Sequence, residues 1–382
     1  MSDFRSADIV RSSPGRLDCL TGMRFLAALQ VVLFHTLEWP SWSNGPSRTF
    51  IGSGGVAVSF FFILSGFILT YTYANPDKPA VSRRSFYSAR FARVYPVYAL
   101  GLLVSAPLFI SEHLAAGKVL TMLVKAGASI LLLQSFIPKL ALVWNSPGWS
   151  LSDEAFFYIL FPFIVPWVMR LGRRGTPIGL LAVWLVAISI PIVYLVMHPD
   201  SSNVIETWSR GTWIDFIRYN PIARLPEFVL GMVLGNFHFR QLPKGRGALG
   251  LAGLPEIAFA VIIVVLAFHS HGHYLLIHNG GLAPVIMVLI LALSSGKGPL
   301  VRILASRVFV LLGEASYALY ILHEPIAMII KRTVGPDAPT WIGTWSYSLV
   351  ITMLSIIVSL LVARFFEKPL RTRLRLVFNR SE

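Results

Sequence analysis

An arginine and a histidine lie on one apolar run near the start of the chain, RFLAALQVVLFH, from Arg24 to His35. Ionisable side chains in such runs are costly to bury and often mark functional sites. Histidine ionises near neutral pH, so His35 is a candidate general base for a hydroxyl, or a transient carrier of a transferred group. The alternative is a histidine that only bonds a neighbouring helix.

Other apolar runs also carry ionisable side chains. Glu154 stands near the start of one run, where it can cap a helix or act at a site, and His323 stands late in another, beside Glu324. Arg224 and Glu227 are three positions apart, which suits either a structural ion pair or contacts to a polar substrate. We therefore predict that His35, Glu154 and His323 are catalytic and that Arg224 and Glu227 bind substrate.

Arg90 and Arg93 also lie three positions apart, so they share one helical face. Guanidinium groups bind phosphate through paired N–H donors, which makes the two arginines candidates for binding a phosphate-bearing donor. The alternative is that they only keep a loop on the cytoplasmic side. Arg24 has the same donor-binding hypothesis, against the alternative of an anchor that extends to the lipid headgroups.

The composition predicts that helices in a membrane position these groups. Hydrophobic residues make up 55% of the 382 residues and charged residues 13%, which is far from the balance of a soluble domain. Backbone polar groups in lipid must be satisfied within the chain, so the runs are predicted to be helices. Eleven apolar stretches lie roughly at 17–39, 50–73, 95–111, 119–137, 154–171, 176–197, 221–239, 249–270, 281–295, 308–330 and 346–366.

Basic residues between these stretches predict the topology, because loops rich in Lys and Arg stay in the cytoplasm. Eleven crossings would place some basic loops outside, and the conflict disappears if 95–137 supplies one crossing. We therefore predict an all-α bundle of about ten transmembrane helices, with a re-entrant or interfacial segment within 95–137 and both termini cytoplasmic. The basic segments are the N-terminal tail, 83–93, 170–175, 239–246, 297–307 and 371–380.

This topology assigns a depth to each candidate. His35 lies ~16 Å along a helix from Arg24, at ~1.5 Å per residue, which places it in the outer half of the membrane. Glu154, His323 and the pair of Arg224 and Glu227 are predicted to lie at that same depth, while Arg90 and Arg93 stay at the inner surface. We expect His35 and Glu154 to share one buried chamber.

Other kinds of site find little support. The net charge of +15 gathers in short loops beside apolar segments, which argues against nucleic-acid binding. The single cysteine and the irregular histidines of FHSHGHYLLIH (268–278) predict no metal site. Ser65 lacks the GxSxG context of a serine nucleophile, so we expect helix contact through Ser65 and Gly66. GSGG at 52–55 is no P-loop and is expected to allow a turn or close packing.

Six motifs follow one another along the chain: LDCLTGMRFLAALQVVLFH (17–35), GGVAVSFFFILSGFILT (54–70), RFARVYPVYAL (90–100), WSLSDEAFFYILFP (149–162), RLPEFVLGMVLG (224–235) and SYALYILHEPI (316–326). In this order they resemble the motifs of the acyltransferase-3 family of integral membrane acyltransferases. The resemblance implies transfer of an acyl group, usually acetyl from acetyl-CoA, to a hydroxyl of a carbohydrate or another acceptor. It also implies that Arg24, His35, Arg90, Arg93 and Glu154 occupy the family's motif positions.

The resulting hypothesis is a bacterial inner-membrane O-acyltransferase with acyl-CoA as co-substrate, no permanently bound cofactor, and a carbohydrate or lipid-linked sugar as acceptor. We expect a cytoplasmic tail (1–16), a membrane domain (17–370) without an SGNH hydrolase-like domain, and a basic cytoplasmic tail (371–382). The competing hypothesis is a transporter or acyl-group conduit, because ionisable residues within a bundle also line transport paths. A sensor or assembly protein is a third alternative.

Overall fold

The computed structural model describes residues 17–37, 45–77, 79, 81–200, 209–241, 253–269, 274–295, 297–335 and 344–379. Every regular element within these ranges is helical. The prediction of an all-α fold is therefore confirmed.

Ten of the described helices have 13 or more residues, and six are shorter. The long helices are α1 (Asp18–Thr36), α3 (Val56–Tyr73), α4 (Arg83–Ala115), α6 (Trp149–Arg170), α7 (Gly175–Met197), α9 (Pro221–Gln241), α10 (Leu254–Phe268), α12 (Ala283–Ser295), α14 (Arg307–Val334) and α15 (Thr344–Val362). The short helices are α2 (Pro46–Gly52), α5 (Val119–Ile130), α8 (Thr212–Tyr219), α11 (Tyr274–Leu276), α13 (Pro299–Leu304) and α16 (Lys368–Asn379).

The bundle is that of a multi-pass membrane protein. Among the described residues, six helical stretches are long and apolar enough to cross a membrane, and a bent pair that joins Tyr274–Gly281 to Ala283–Ser294 at 44° makes a seventh. Helices α9 and α14, at 21 and 28 residues, are long but carry ionisable side chains of the candidate site. The predicted total of ten crossings includes them and stays a prediction.

The region 95–137 contains one helix of full length. Ser82 caps α4 by accepting a hydrogen bond from the Ser85 amide at 3.2 Å, and α4 then runs for 33 residues. Helix α5 has 12 residues, which at ~1.5 Å per residue is too short for a ~30 Å hydrocarbon core. It exposes Leu120 (76%) and Leu123 (59%), as expected for a segment that lies against lipid. The structure thus agrees with the prediction that this region supplies a single crossing.

Glycines set the closest helix crossing of the core. A Cβ atom on Gly66 of α3 would lie 2.0 Å from the Phe228 carbonyl oxygen of α9, and one on Gly231 would lie 1.9 Å from the Ile63 carbonyl oxygen. Only glycine allows two backbones to approach so closely. The predicted helix contact at Gly66 is confirmed.

A second close crossing joins α1 to α14. A Cβ atom on Gly313 would lie 2.0 Å from the Thr21 carbonyl oxygen, so the two helices touch near the start of each. They remain packed along their lengths. This alignment brings His35, late in α1, beside His323, late in α14.

The predicted boundary at residue 370 falls inside a helix. Helix α15 continues through a π-helical turn, Ala363–Glu367, into α16. Helix α16 packs against α4. The described part of the predicted tail, 371–379, is therefore helical and belongs to the packed bundle.

Candidate active site

A cavity lined by arginines, here called the basic cavity, has a volume of about 300 Å³. Helices α1, α3, α4, α6, α14 and α16 form its walls. All three predicted donor-binding arginines line it, together with one predicted catalytic residue. Its ionisable lining residues other than tyrosines are Arg24, Arg90, Arg93, Glu154, Arg371 and Arg375.

Contacts hold several of these arginines in place. Arg90 donates to the Tyr73 hydroxyl at 3.0 Å. Glu367, just before α16, lies 3.9 Å from Arg93 and 4.0 Å from Arg371 through the same carboxylate oxygen. The lining itself holds five guanidinium groups and a single carboxylate, that of Glu154. The cavity is therefore suited to a ligand with several negative charges.

Glu154 lies among the arginines of the basic cavity. Its charged neighbours are Arg24, Arg93 and Arg90, and the Tyr158 hydroxyl lies beside it one helical turn further on. Glu154 is therefore held between guanidinium groups, and the prediction that it is catalytic stays a prediction.

A second cavity, here called the histidine cavity, has a volume of about 320 Å³. Its lining includes His35 of α1, Glu324 of α14, Arg224 of α9 and His278 of the bent segment. The lining also holds aromatic side chains and, with Arg224, the guanidinium groups of Arg210 and Arg218. Its lining residues include Val58, Trp149, Tyr219, Tyr274 and Tyr320.

His35 and His323 form a contacting pair. Nε2 of His323 lies 3.3 Å from Nδ1 of His35. Nδ1 of His323 lies 3.2 Å from the Leu319 carbonyl oxygen, and Nδ1 of His35 lies 2.9 Å from the Val31 carbonyl oxygen. Because a carbonyl only accepts, we assign the proton to Nδ1 in both rings. His323 then accepts from His35 through Nε2, and Nε2 of His35 is left as the proton acceptor at the cavity.

Glu324 completes this group and was not chosen from the sequence. The nearest donor atoms of His35, His323 and Glu324 all lie within 4.8 Å of one another. The Ser146 hydroxyl donates a hydrogen bond to the Glu324 carboxylate and fixes its position. The carboxylate therefore stands where it can stabilise a positive charge on His35. The signal was its position directly after His323, but adjacent residues on a helix normally face different directions.

The three donors are also the one group of potential metal ligands among the described residues. The carbonyl contacts of both Nδ1 atoms orient the two rings without an ion. Of the histidine-rich stretch, His278 lines the histidine cavity, whereas His271 and His273 lie outside the described residues. The expectation of no metal stays a prediction.

Arg224 and Glu227 form the predicted ion pair, at 2.9 Å, and both are buried. Arg224 also donates to the Ser59 hydroxyl at 3.0 Å, the His278 carbonyl oxygen at 2.7 Å and the Asn279 side-chain oxygen at 2.5 Å. It thereby joins α9 to α3 and to the bend. Arg224 reaches the histidine cavity, while Glu227 lies behind it as its partner.

The bend itself needs special backbone geometry. Asn279 and Gly280 leave the helical conformation, and Gly280 has a φ of 95°, which favours glycine. A Cβ atom on Gly55 would lie 2.6 Å from His278 Nδ1, so the GSGG turn packs tightly against the bend. The expectation of a turn or close packing at 52–55 is confirmed.

The two cavities adjoin. Val58 of α3 and Tyr320 of α14 line both of them. The Ser150 hydroxyl lies 2.8 Å from the Tyr320 hydroxyl and 3.1 Å from the Pro147 carbonyl oxygen. The side chains of Val58 and Tyr320, here called the shared wall, lie between the arginines of the basic cavity and His35 of the histidine cavity.

The expected common chamber for His35 and Glu154 is therefore wrong in detail. Glu154 lines the basic cavity at the level of Arg24, and His35 lines the histidine cavity. The reason is that α6 begins at Trp149, not at Glu154. Glu154 is consequently more than one turn inside the helix, and it does not share the depth of His35.

A family model described as an acyltransferase domain matches residues 17–364. The chain belongs to the acyltransferase-3 family. The acyltransferase MdmB of Streptomyces mycarofaciens is 28% identical over 353 residues, which cover 89% of this chain and 87% of the relative. The O-acetyltransferase OatA of Staphylococcus aureus is 22% identical over 386 residues, which cover 94% of this chain and 58% of the relative. No solved structure matches.

The family match confirms the resemblance seen in the six motifs. This acyltransferase-3 chain spans little more than half of the staphylococcal relative's length. The roles of individual side chains rest on the geometry of the two cavities.

Proposed function

We propose that the protein transfers an acyl group from acyl-CoA, held in the basic cavity, to a hydroxyl of an acceptor held in the histidine cavity. The observation that carries this proposal is the adjacency of the two cavities across Val58 and Tyr320. One cavity suits a polyanionic donor and the other contains a histidine ready to accept a proton. The names of both relatives describe acyl transfer, and one of them specifies O-acetyl transfer.

The donor side follows from charge. Coenzyme A carries a diphosphate and a 3′-phosphate, and guanidinium groups are the preferred protein partners of phosphate oxygens. Arg24, Arg90 and Arg93 supply three of them. By the positive-inside rule the basic cavity opens toward the cytoplasm, where acyl-CoA is made. The flexible pantetheine arm then directs the thioester toward the shared wall.

The acceptor side follows from shape and aromatic lining. Trp149, Tyr219 and Tyr274 line the histidine cavity, and the rings of Trp149 and Tyr219 lie 5.0 Å apart. Aromatic faces with polar tips suit a carbohydrate, whose rings present both C–H and hydroxyl groups. We therefore propose a carbohydrate or lipid-linked sugar as the acceptor.

The reaction needs one base and one group that stabilises negative charge. His35 Nε2 takes the proton of the acceptor hydroxyl while the oxygen attacks the thioester carbonyl carbon. The tetrahedral intermediate collapses, the C–S bond breaks, and the proton on His35 passes to the departing thiolate. The products are the ester and free coenzyme A. His323 and Glu324 hold His35 and stabilise its positive charge during the reaction.

The oxyanion needs a donor near the shared wall. The Tyr320 hydroxyl lies 2.8 Å from the Ser150 hydroxyl, and its proton can turn from there toward the oxyanion. Tyr320 also lines both cavities. We assign it this role.

The deciding experiment uses the purified protein in liposomes with labelled acetyl-CoA and candidate sugar acceptors. The proposal expects acceptor-dependent release of coenzyme A that is lost in His35→Ala. Passage of label across the bilayer without release of coenzyme A would instead support the conduit, which two adjoining cavities also fit geometrically. A fully active His35→Ala protein would contradict the assigned chemistry.

A further inference from the structure

Helix α16 contributes two arginines that the sequence assigned only to topology. Arg371 and Arg375 are four positions apart, so they share one helical face, and both line the basic cavity. Arg373 lies on the same helix, is exposed, and does not line that cavity. The helix thus turns one arginine pair toward the cavity and another arginine away from it.

Two ion pairs fix α16 against the rest of the bundle. Glu367 is 4% exposed and lies between Arg93 of α4 and Arg371 of α16. Lys368, the first residue of α16, pairs with Glu314 of α14 at 2.6 Å. A buried carboxylate between two guanidinium groups favours one position for both. The arginine face of α16 is therefore held in place at the cavity.

The same contacts place α16 far from the reaction centre. Glu314 precedes Tyr320 by six positions on α14, which is ~9 Å along the helix axis at ~1.5 Å per residue. Arg375 is exposed, and the side chain of Arg371 is 28% exposed. These two arginines therefore stand at the mouth of the basic cavity, and the shared wall stands at its inner end.

We propose that Arg371 and Arg375 bind the 3′-phosphate of coenzyme A, an inference that rests on the proposed function. The thioester must reach Tyr320, so the opposite end of the donor, the 3′-phosphoadenosine, remains at the mouth. Among the described residues no carboxylate pairs with Arg375. A phosphate monoester with two negative charges matches two guanidinium groups on adjacent turns. Helix α16 then selects coenzyme A over thioesters that lack this phosphate.

The test compares coenzyme A with 3′-dephospho-coenzyme A by calorimetry on the full-length protein in nanodiscs. The variants are R371Q/R375Q, the single variant R375Q, and R373Q as the matched control on the same helix. Charge-assisted bonds to phosphate predict that the wild type binds coenzyme A at least about tenfold more tightly than the dephospho form. R371Q/R375Q should lose this preference, R375Q should reduce it, and R373Q should keep it.

The dephospho ligand also reports folding, because its affinity should be unchanged in R371Q/R375Q. The proposal is overturned if that variant still prefers coenzyme A tenfold, or if R375Q weakens both ligands equally. Equal loss in R373Q would also overturn it, because the effect would then come from overall charge. If the wild type binds neither ligand, the proposed function fails. If the wild type binds both equally, only the role of α16 fails.

Discussion

Replacing His323 tests whether the histidine pair works as assigned. Its Nε2 accepts from His35 Nδ1 at 3.3 Å, and it is completely buried. When His35 takes the acceptor's proton, this bond becomes charge-assisted. Hydrogen bonds to charged groups contribute about 1.5–3 kcal/mol. At about 1.36 kcal/mol per tenfold in rate, His323→Met should lower kcat by roughly 10- to 150-fold.

A second substitution separates the hydrogen bond from packing. His323→Gln can place an amide oxygen near the position of Nε2, so it keeps an acceptor for His35. We expect Gln to retain most of the activity that Met loses. Steady-state release of coenzyme A from purified protein in nanodiscs measures kcat. The affinity for acetyl-CoA should not change in either variant, because His323 does not line the basic cavity.

Two results would refute this reasoning. If His323→Met stayed within threefold of the wild type, His323 would not support charge on His35. If Gln and Met lost activity equally while both proteins kept the wild-type melting temperature, the acceptor atom would be irrelevant. In either case the assignment of the proton to Nδ1 of His35 would be wrong.

Three further predictions address the base, the donor site and the core. His35→Ala should lower kcat by about 10²- to 10⁴-fold, the usual contribution of a general base. Calorimetry should show that the affinity for acetyl-CoA is unchanged. A parallel loss of affinity would contradict the separation of the two cavities. In steady-state kinetics, Arg90→Gln should raise the KM for acetyl-CoA roughly tenfold and leave kcat at saturating acetyl-CoA unchanged. An unchanged KM would show that Arg90 is not part of the donor site. Gly66→Ala places a Cβ atom 2.0 Å from a backbone oxygen and should destabilise the protein by about 1–3 kcal/mol in denaturant titration. The control Gly127→Ala, whose new Cβ atom meets nothing within 4 Å, should leave the stability unchanged. Equal stability of the two variants would contradict the close crossing of α3 and α9.

The sequence predicted the fold class because lipid restricts what an apolar run can become. Helices were the expected form, and a helix places residues at known intervals along its axis. Arg24, Arg90 and Arg93 line one cavity, and His35 and His323, which the predicted topology places at one depth, are in contact; their roles stay predictions.

The predictions that differ from the structure do so for physical reasons that a hydropathy pattern does not contain. Glu154 was placed one turn too close to the membrane surface, because α6 begins with the polar residues of WSLSDE before the apolar run. Arg371 and Arg375 were interpreted as topology signals, since a basic loop and a basic ligand site have the same composition. The sequence does not predict Glu324 as a site residue, because its approach to His35 depends on side-chain reach rather than on helix periodicity.

Under the proposed function, the shared wall of Val58 and Tyr320 lets an acyl group pass a barrier that its thioester carrier does not cross. If only these two side chains separate the substrates, just the small acyl fragment has to travel, and both bulky carriers stay in their own compartments. The helices then have no need to swing between inward-open and outward-open arrangements. Val58 and Tyr320 would then both block ion leakage and let the acyl group pass.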